Sequence, residues 1–108
     1  MELYQAAEAF NALSQPNRLA VLRLLGEVGS AGARPSQMAT TLQLPANTLS
    51  FHLRQLRQAG LISEQRQGRD RIYRLNLTAL QQLLRYLNSI AGLQNSVAPN
   101  PVSLALDR

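Results

Sequence analysis

The chain has 108 residues, enough for one core and too few for a second. Cysteine is absent and a single histidine accompanies six carboxylates, which excludes disulfides, thiolate metal sites and thiol redox chemistry. All 11 basic side chains are arginine and the net charge is +5, a balance that favours a nucleic-acid partner because the guanidinium fork matches phosphate and guanine edges.

A GC-rich coding sequence would also spell its basic residues as arginine, so the positions of the arginines carry the argument. The first residues, MELYQAAEAF, lack the basic region and long apolar core of a signal peptide, and no apolar run could span a bilayer. A cytoplasmic protein without a membrane partner is expected. Over Glu2 to Leu13, the residues Leu3, Ala6, Ala7, Phe10 and Leu13 recur at helical spacing and give an amphipathic first helix. Pro16 follows a break and opens a second helix to about Val28, whose broad apolar face (Leu19, Val21, Leu22, Leu24, Leu25) suits the centre of a core. The small residues from Gly29 to Ala33 form a turn.

Pro35 starts a third helix through Met38, Ala39 and Leu42, and after Leu44 a fourth begins at Pro45. In the fourth, Leu49, Leu53 and Leu56 make a narrow inward seam, while Asn47, Ser50, Phe51, Arg54 and Gln58 lie opposite. Gly60 closes it. The period then changes to that of strands: Leu61 to Arg66 and Arg69 to Leu75 flank Gln67-Gly68 as a β-hairpin with a basic tip. Asn76 is a fitting N-cap for a last helix carrying Leu80, Leu83, Leu84, Leu87 and Ile90. After Gly92 the periodicity ends. Residues 1–92 are thus expected to form one domain, with a mobile tail over 93–108.

This order is that of a winged helix-turn-helix: mainly α, five helices with a two-stranded wing, α1-α2-α3-α4-β1-β2-α5. The phrases FNALSQPNRLAVLRLL, LPANTLSFHLRQLRQAGLI and RQGRDRIYRLN closely resemble the signature segments of the ArsR-type (ArsR/SmtB) family of dimeric bacterial repressors, in one collinear register over roughly residues 8–88. The resemblance implies a homodimer joined through the first and last helices, two recognition helices in successive major grooves of double-stranded DNA, and repression lifted by an inducer. Two-fold pairing implies an imperfect palindrome with half-sites about one helical turn apart. The residues themselves point the same way, because both outer helices carry wider apolar stripes than one small core needs. Leu3, Tyr4, Ala7 and Phe10, with Leu80, Leu83, Leu84, Tyr86, Leu87 and Ile90, are the candidate dimer interface.

The candidate DNA contacts begin at the N-terminal end of the fourth helix. Ala46, Asn47, Ser50 and Phe51 match the family's DNA-facing positions, and Thr48 lies beside them. Asn47 suits adenine, and Phe51 or Ala46 suits a thymine methyl. The structural alternatives are that Asn47 and Thr48 only stabilise the first turn and that Phe51 packs on the hairpin. Arg54 and Arg57 suit the DNA backbone. His52 flanks the seam, as a packing histidine or a phosphate contact. In the wing, Arg69 at the tip, then Arg66, and with them Arg71 suit phosphate or a narrow minor groove. Alternatively Arg71 and Arg74 pair with Glu64 and Asp70.

Three sensor types known in the family are missing. The Cys-x-Cys positions at the start of the third helix hold Arg34 and Ser36, the stretch Leu80 to Ala91 has no acidic residue or histidine, and Asn88-Ser89-Ile90-Ala91 stand where others have paired cysteines. No metal and no cofactor is expected. The inducer stays open: an organic ligand or a protein near Tyr4, Phe10 and Tyr86, or none. An enzyme is not expected, since no nucleophile is paired with a base and no phosphate loop is present. A winged helix that binds proteins instead of DNA is the alternative, and an RNA-binding role is less suited because the groove of an RNA duplex excludes a helix.

Overall fold

Every proline before residue 92 stands at a helix start. The computed structural model describes residues 1–92, and the tail expected over 93–108 lies outside the described residues. Five α-helices and one hairpin follow in the order α1 (Leu3–Ala12), α2 (Pro16–Val28), α3 (Pro35–Leu42), α4 (Ala46–Gln58), β1 (Ile62–Gln67), β2 (Asp70–Leu75) and α5 (Leu77–Ala91). This is a winged helix-turn-helix. Pro16 and Pro35 open their helices, where a missing N–H costs nothing, whereas Pro45 stands just outside α4 as its N-cap residue.

The turn from α3 to α4 depends on Gln43, a left-handed residue with φ of 55°. It lets the Leu44 N–H reach back to the Ala39 carbonyl at 3.0 Å. The end of α4 repeats this device with glycine. Gly60 has φ of 79°, its N–H donates to the Arg57 carbonyl at 2.9 Å, and Leu61 N–H donates to the Leu56 carbonyl at 3.0 Å. That is a Schellman motif, completed by apolar contact between the fully buried Leu56 and Leu61.

The core forms where α2, α3, α4 and the wing meet. Leu49, Leu53 and Leu56 of α4 are buried with Val21 and Leu25 of α2, Met38 of α3, and Leu61, Ile62 and Tyr73 of the wing. The inward face of α2 is narrower than its sequence suggests: Leu22 and Leu24 are half-buried and Leu19 is exposed. On α1 the face turned inward is that of Ala6, Ala9 and Ala12, while Leu3, Tyr4, Ala7 and Phe10 remain exposed. α5 divides its apolar residues. Leu83 is buried and Leu80 and Tyr86 pack against the core, whereas Leu77, Leu84, Leu87 and Ile90 are exposed. Leu83, expected at the interface, is covered within its own protomer's core.

The hairpin pairs Ile62 with Leu75, Glu64 with Tyr73 and Gln67 with Asp70. Its two-residue turn is therefore Gly68-Arg69, one position later than the sequence suggests. Glycine at the first turn position, with φ of 64°, is the order a type II′ turn takes. One pairing has no sequence signal: Ala33, after a 3-10 turn at Gly29–Ala31, bridges Tyr73 through N–H to carbonyl bonds of 3.0 and 2.8 Å. Gly32 makes the approach possible, since a Cβ there would lie 2.6 Å from Ile72 Cγ2 and 2.8 Å from the Tyr73 carbonyl oxygen.

Gly32→Ala should therefore lower stability by about 2–4 kcal/mol, adding a steric collision to the cost of a left-handed alanine. Gly29→Ala, also at positive φ but with nothing within 4 Å of its Cβ, should cost only about 1–2 kcal/mol. Urea unfolding midpoints of the two variants measure the difference.

Candidate nucleic-acid interface

Because the leucine seam faces inward, the opposite side of α4 faces out. Ala46, Asn47, Ser50, Phe51, Arg54 and Arg57 are exposed and Thr48 is half-buried. Side-chain oxygens of Glu2, Gln15 and Asn76 cap α1, α2 and α5, but no side chain caps α4. The Ala46 and Asn47 N–H groups and the positive end of the α4 dipole are left to favour an anion, and α3 likewise has no side-chain cap. Asn47 contributes locally, since its Oδ1 accepts the Thr48 N–H at 2.9 Å, and its amide nitrogen remains a donor for a base edge. The Phe51 ring is half exposed and meets His52 edge-on, 5.8 Å between centroids.

His52 itself is only 6% exposed. Of the two readings open in the sequence this favours packing: the ring sits beneath the outer face, with Nδ1 3.4 Å from Arg18 Nη1. Arg18 in turn donates from Nε to the Ala12 carbonyl at 2.6 Å. Burial, and after it the Arg18 guanidinium, push the imidazole pKa below its usual value. His52 thus joins α4 to α2 and to the end of α1 as a neutral packing group.

On the wing, the register sets Ile62, Glu64 and Arg66 of β1 on one face, opposite Leu75, Tyr73 and Arg71 of β2. Arg66 and Arg71 are directly opposed. Like charges so placed repel, and an incoming phosphate relieves the repulsion. Arg71 Nε lies 3.2 Å from Glu64 Oε2, and Arg57 Nη1, from the recognition helix, lies 2.9 Å from Glu64 Oε1. Arg57, Arg71 and Arg66 thus lead from the end of α4 along the hairpin to Arg69 at its turn.

The sequence pairing of Arg74 and Asp70 is replaced. Arg74 donates to the Ser30 carbonyl at 2.8 Å and to Gln65 Oε1 at 2.6 Å, while Asp70 Oδ2 takes Arg34 Nε at 3.1 Å. The expected pairing of Arg71 with Glu64 is present, Glu64 in addition takes Arg57, and Arg34, which braces Asp70 beside the wing's turn, was missed in the sequence. The hairpin register places Glu64 diagonal to Arg71. Nothing local signalled Arg34.

Among the described residues no three acidic, histidine or cysteine side chains come close enough to hold a metal, and no helix is long and apolar enough to cross a membrane. The depression at Tyr86 is lined in the single protomer by Met1, Gln82, Arg85 and Ser89.

An outward, uncapped recognition helix beside an arginine-lined hairpin defines the class as a winged helix-turn-helix of the DNA-binding kind. A helix-turn-helix domain model matches residues 13–65. The transcriptional repressor SdpR of Bacillus subtilis is 35% identical over 79 residues, which cover 72% of this chain and 83% of that one. An ArsR-like transcriptional regulator from Rhodococcus sp. RHA1 superimposes with a TM-score of 0.73 at 30% identity, covering 82% of this chain and 81% of that one. A homodimeric winged helix-turn-helix DNA-binding domain from Mycobacterium bovis gives 0.61 at 28% identity, covering 79% and 83%. The chain belongs to the ArsR family of helix-turn-helix transcriptional regulators, which are not enzymes.

The histidine gives a pH prediction. Its folded pKa is below the unfolded value, so unfolding takes up a proton once the pH falls below about 6.5. Its contribution is complete above that pH and is lost as pH falls through the folded value. Between pH 7.5 and 5.5 the wild-type urea midpoint should drop, and in His52→Gln the drop should shrink. An equal drop in both would assign it to other groups.

Proposed function

We propose that the protein is a homodimeric repressor that binds an imperfect palindrome in double-stranded DNA through both recognition helices, and that a signal other than a thiol-bound metal releases it. The observation that carries this reading is the juxtaposition of the exposed face Ala46, Asn47, Ser50, Phe51 and Arg54 with the arginines of the wing. In this arrangement Asn47, Ser50 and Phe51 read base edges, Arg54 and Arg57 hold the backbone, and Arg66, Arg69 and Arg71 take phosphate or minor groove. Residues 1–92 supply both DNA binding and pairing, and chromosomal DNA as the target makes the cytoplasm the working compartment.

Pairing is supported by the apolar side chains left uncovered on α1 and α5, with Tyr4 75% and Ile90 70% exposed. Leu3, Ala7, Phe10, Leu84 and Leu87 complete that surface, and Leu80 and Tyr86 offer their outer edges. The homodimeric M. bovis domain and the B. subtilis repressor support the same reading. The inducer, a small molecule or a protein, is unidentified.

Selection of bound duplexes from a random pool, followed by anisotropy titration at two salt concentrations, tests the proposal. Failure to enrich any sequence would favour a protein-interaction module. With the selected duplex, Arg69→Ala should weaken binding to all sequences alike and reduce the salt slope by about one unit. Leu84→Glu with Leu87→Glu should sediment as a monomer and lose about 100-fold or more in affinity for the full palindrome, since the two half-sites then bind independently.

A further inference from the structure

A carboxylate stands in the middle of the arginine track. Glu64 has a side chain only 16% exposed, and its two oxygens are divided between elements: Oε1 to Arg57 of α4 at 2.9 Å, Oε2 to Arg71 of β2 at 3.2 Å. The Tyr73 hydroxyl donates to Oε2 at 3.4 Å. Tyr73 is buried and is bridged through its backbone to Ala33, with Glu64 opposite it on the other side, so the carboxylate sits over the part of the wing held most firmly.

We infer that Glu64 is a positioning residue, which holds the Arg57 and Arg71 guanidiniums on one carboxylate so that recognition helix and wing meet the DNA backbone as a preset pair. The inference rests on the DNA-binding reading above. A guanidinium has five N–H donors, and the closest contact of each arginine with Glu64 uses one nitrogen, so both forks keep donors for phosphate. Both arginines are about half exposed, at 47% and 51% of their side chains. Ion pairs with that much solvent add little to folding, so stability does not explain a carboxylate placed among phosphate-binding groups. A negative charge there also opposes binding to every duplex. What it supplies is geometry: a backbone in the right register meets both forks where they already lie, and any other register must pull them off Glu64. Glu64 therefore raises discrimination and not affinity.

The test compares the full-length protein with Glu64→Gln, Arg57→Lys and Arg71→Lys, the lysines keeping charge without the fork. Each is titrated against the selected duplex and a random-sequence duplex of equal length. Affinity of Glu64→Gln for the random duplex should hold or rise, while the ratio of specific to random affinity should fall roughly tenfold, the scale of one charge-assisted hydrogen bond. The lysine variants should show the same loss of ratio. An unchanged ratio, or a parallel loss on both duplexes together with a lower melting temperature, would overturn the inference. Nitrogen-15 relaxation of the arginine Nε–H groups decides it without DNA. Arg57 and Arg71 should be more ordered than Arg66 and Arg69, and should lose that order in Glu64→Gln. Equal mobility of all four would overturn it. A wild-type protein that enriches no duplex would instead remove the DNA-binding reading, leaving the relaxation result to stand on its own.

Discussion

The seam of Leu49, Leu53 and Leu56 is the constraint on which the site depends. A helix can turn about its own axis unless packing stops it, and three fully or nearly fully buried leucines at i, i+4 and i+7 leave one orientation. Burying each contributes about 1.5–3 kcal/mol, well above the cost of exposing the short polar residues opposite. The outward face is therefore determined by the inward one. His52, adjacent to the seam, obeys the same constraint, and this is why the helix's only imidazole is covered while its neighbour Phe51 is left half in solvent.

The seam also places the wing. Leu56 at its lower end meets Leu61 through the Schellman turn, and Leu61 leads directly into β1. Asn76 then closes the circuit, because its side chain donates to the Gly60 carbonyl at 2.9 Å and accepts the Ala79 N–H at 3.2 Å. One residue caps α5 and ties it to the end of the recognition helix. Ala33 adds the other anchor by pairing with Tyr73. Hence the hairpin is not an isolated two-stranded ribbon, which would be marginal in water, but is tied to the body through Ala33 on its β2 edge, through Asn76 at its base and through Arg34 to Asp70 beside its turn.

Element type and order were legible in the sequence because each carries its own signal: prolines at helix starts, a 3.6 period, then alternation around a glycine. The outward side of α4 was legible for the same reason, being the complement of the leucines. Three features were not. Which apolar face of α1 turns inward depends on how closely helices approach, and alanine at positions 6, 9 and 12 allows an approach that Leu3 and Phe10 would block. The Ala33–Tyr73 bridge joins segments 40 positions apart in sequence, with no local pattern to announce it. The partners of Arg34 and Arg57 follow from three-dimensional proximity, which no spacing rule encodes. Residue types fixed that arginines would matter, and the fold decided which of them are already engaged.

The start of α3 shows how an engaged arginine can change a function's logic. By resemblance, this is where metal-sensing relatives hold a thiolate pair, so that ligand occupancy there can be felt by the DNA-binding elements. Here Arg34 reaches from that position to Asp70, next to the tip of the wing. An ion pair with both side chains about half exposed is weak and screened by salt. It nevertheless joins the two elements whose relative placement a sensor at this position would alter. With Ala33 bonded to Tyr73 beside it, the segment is tied to the wing at two points in this chain. The outer apolar residues of α1 and α5, by contrast, are left uncovered by the protomer's own core.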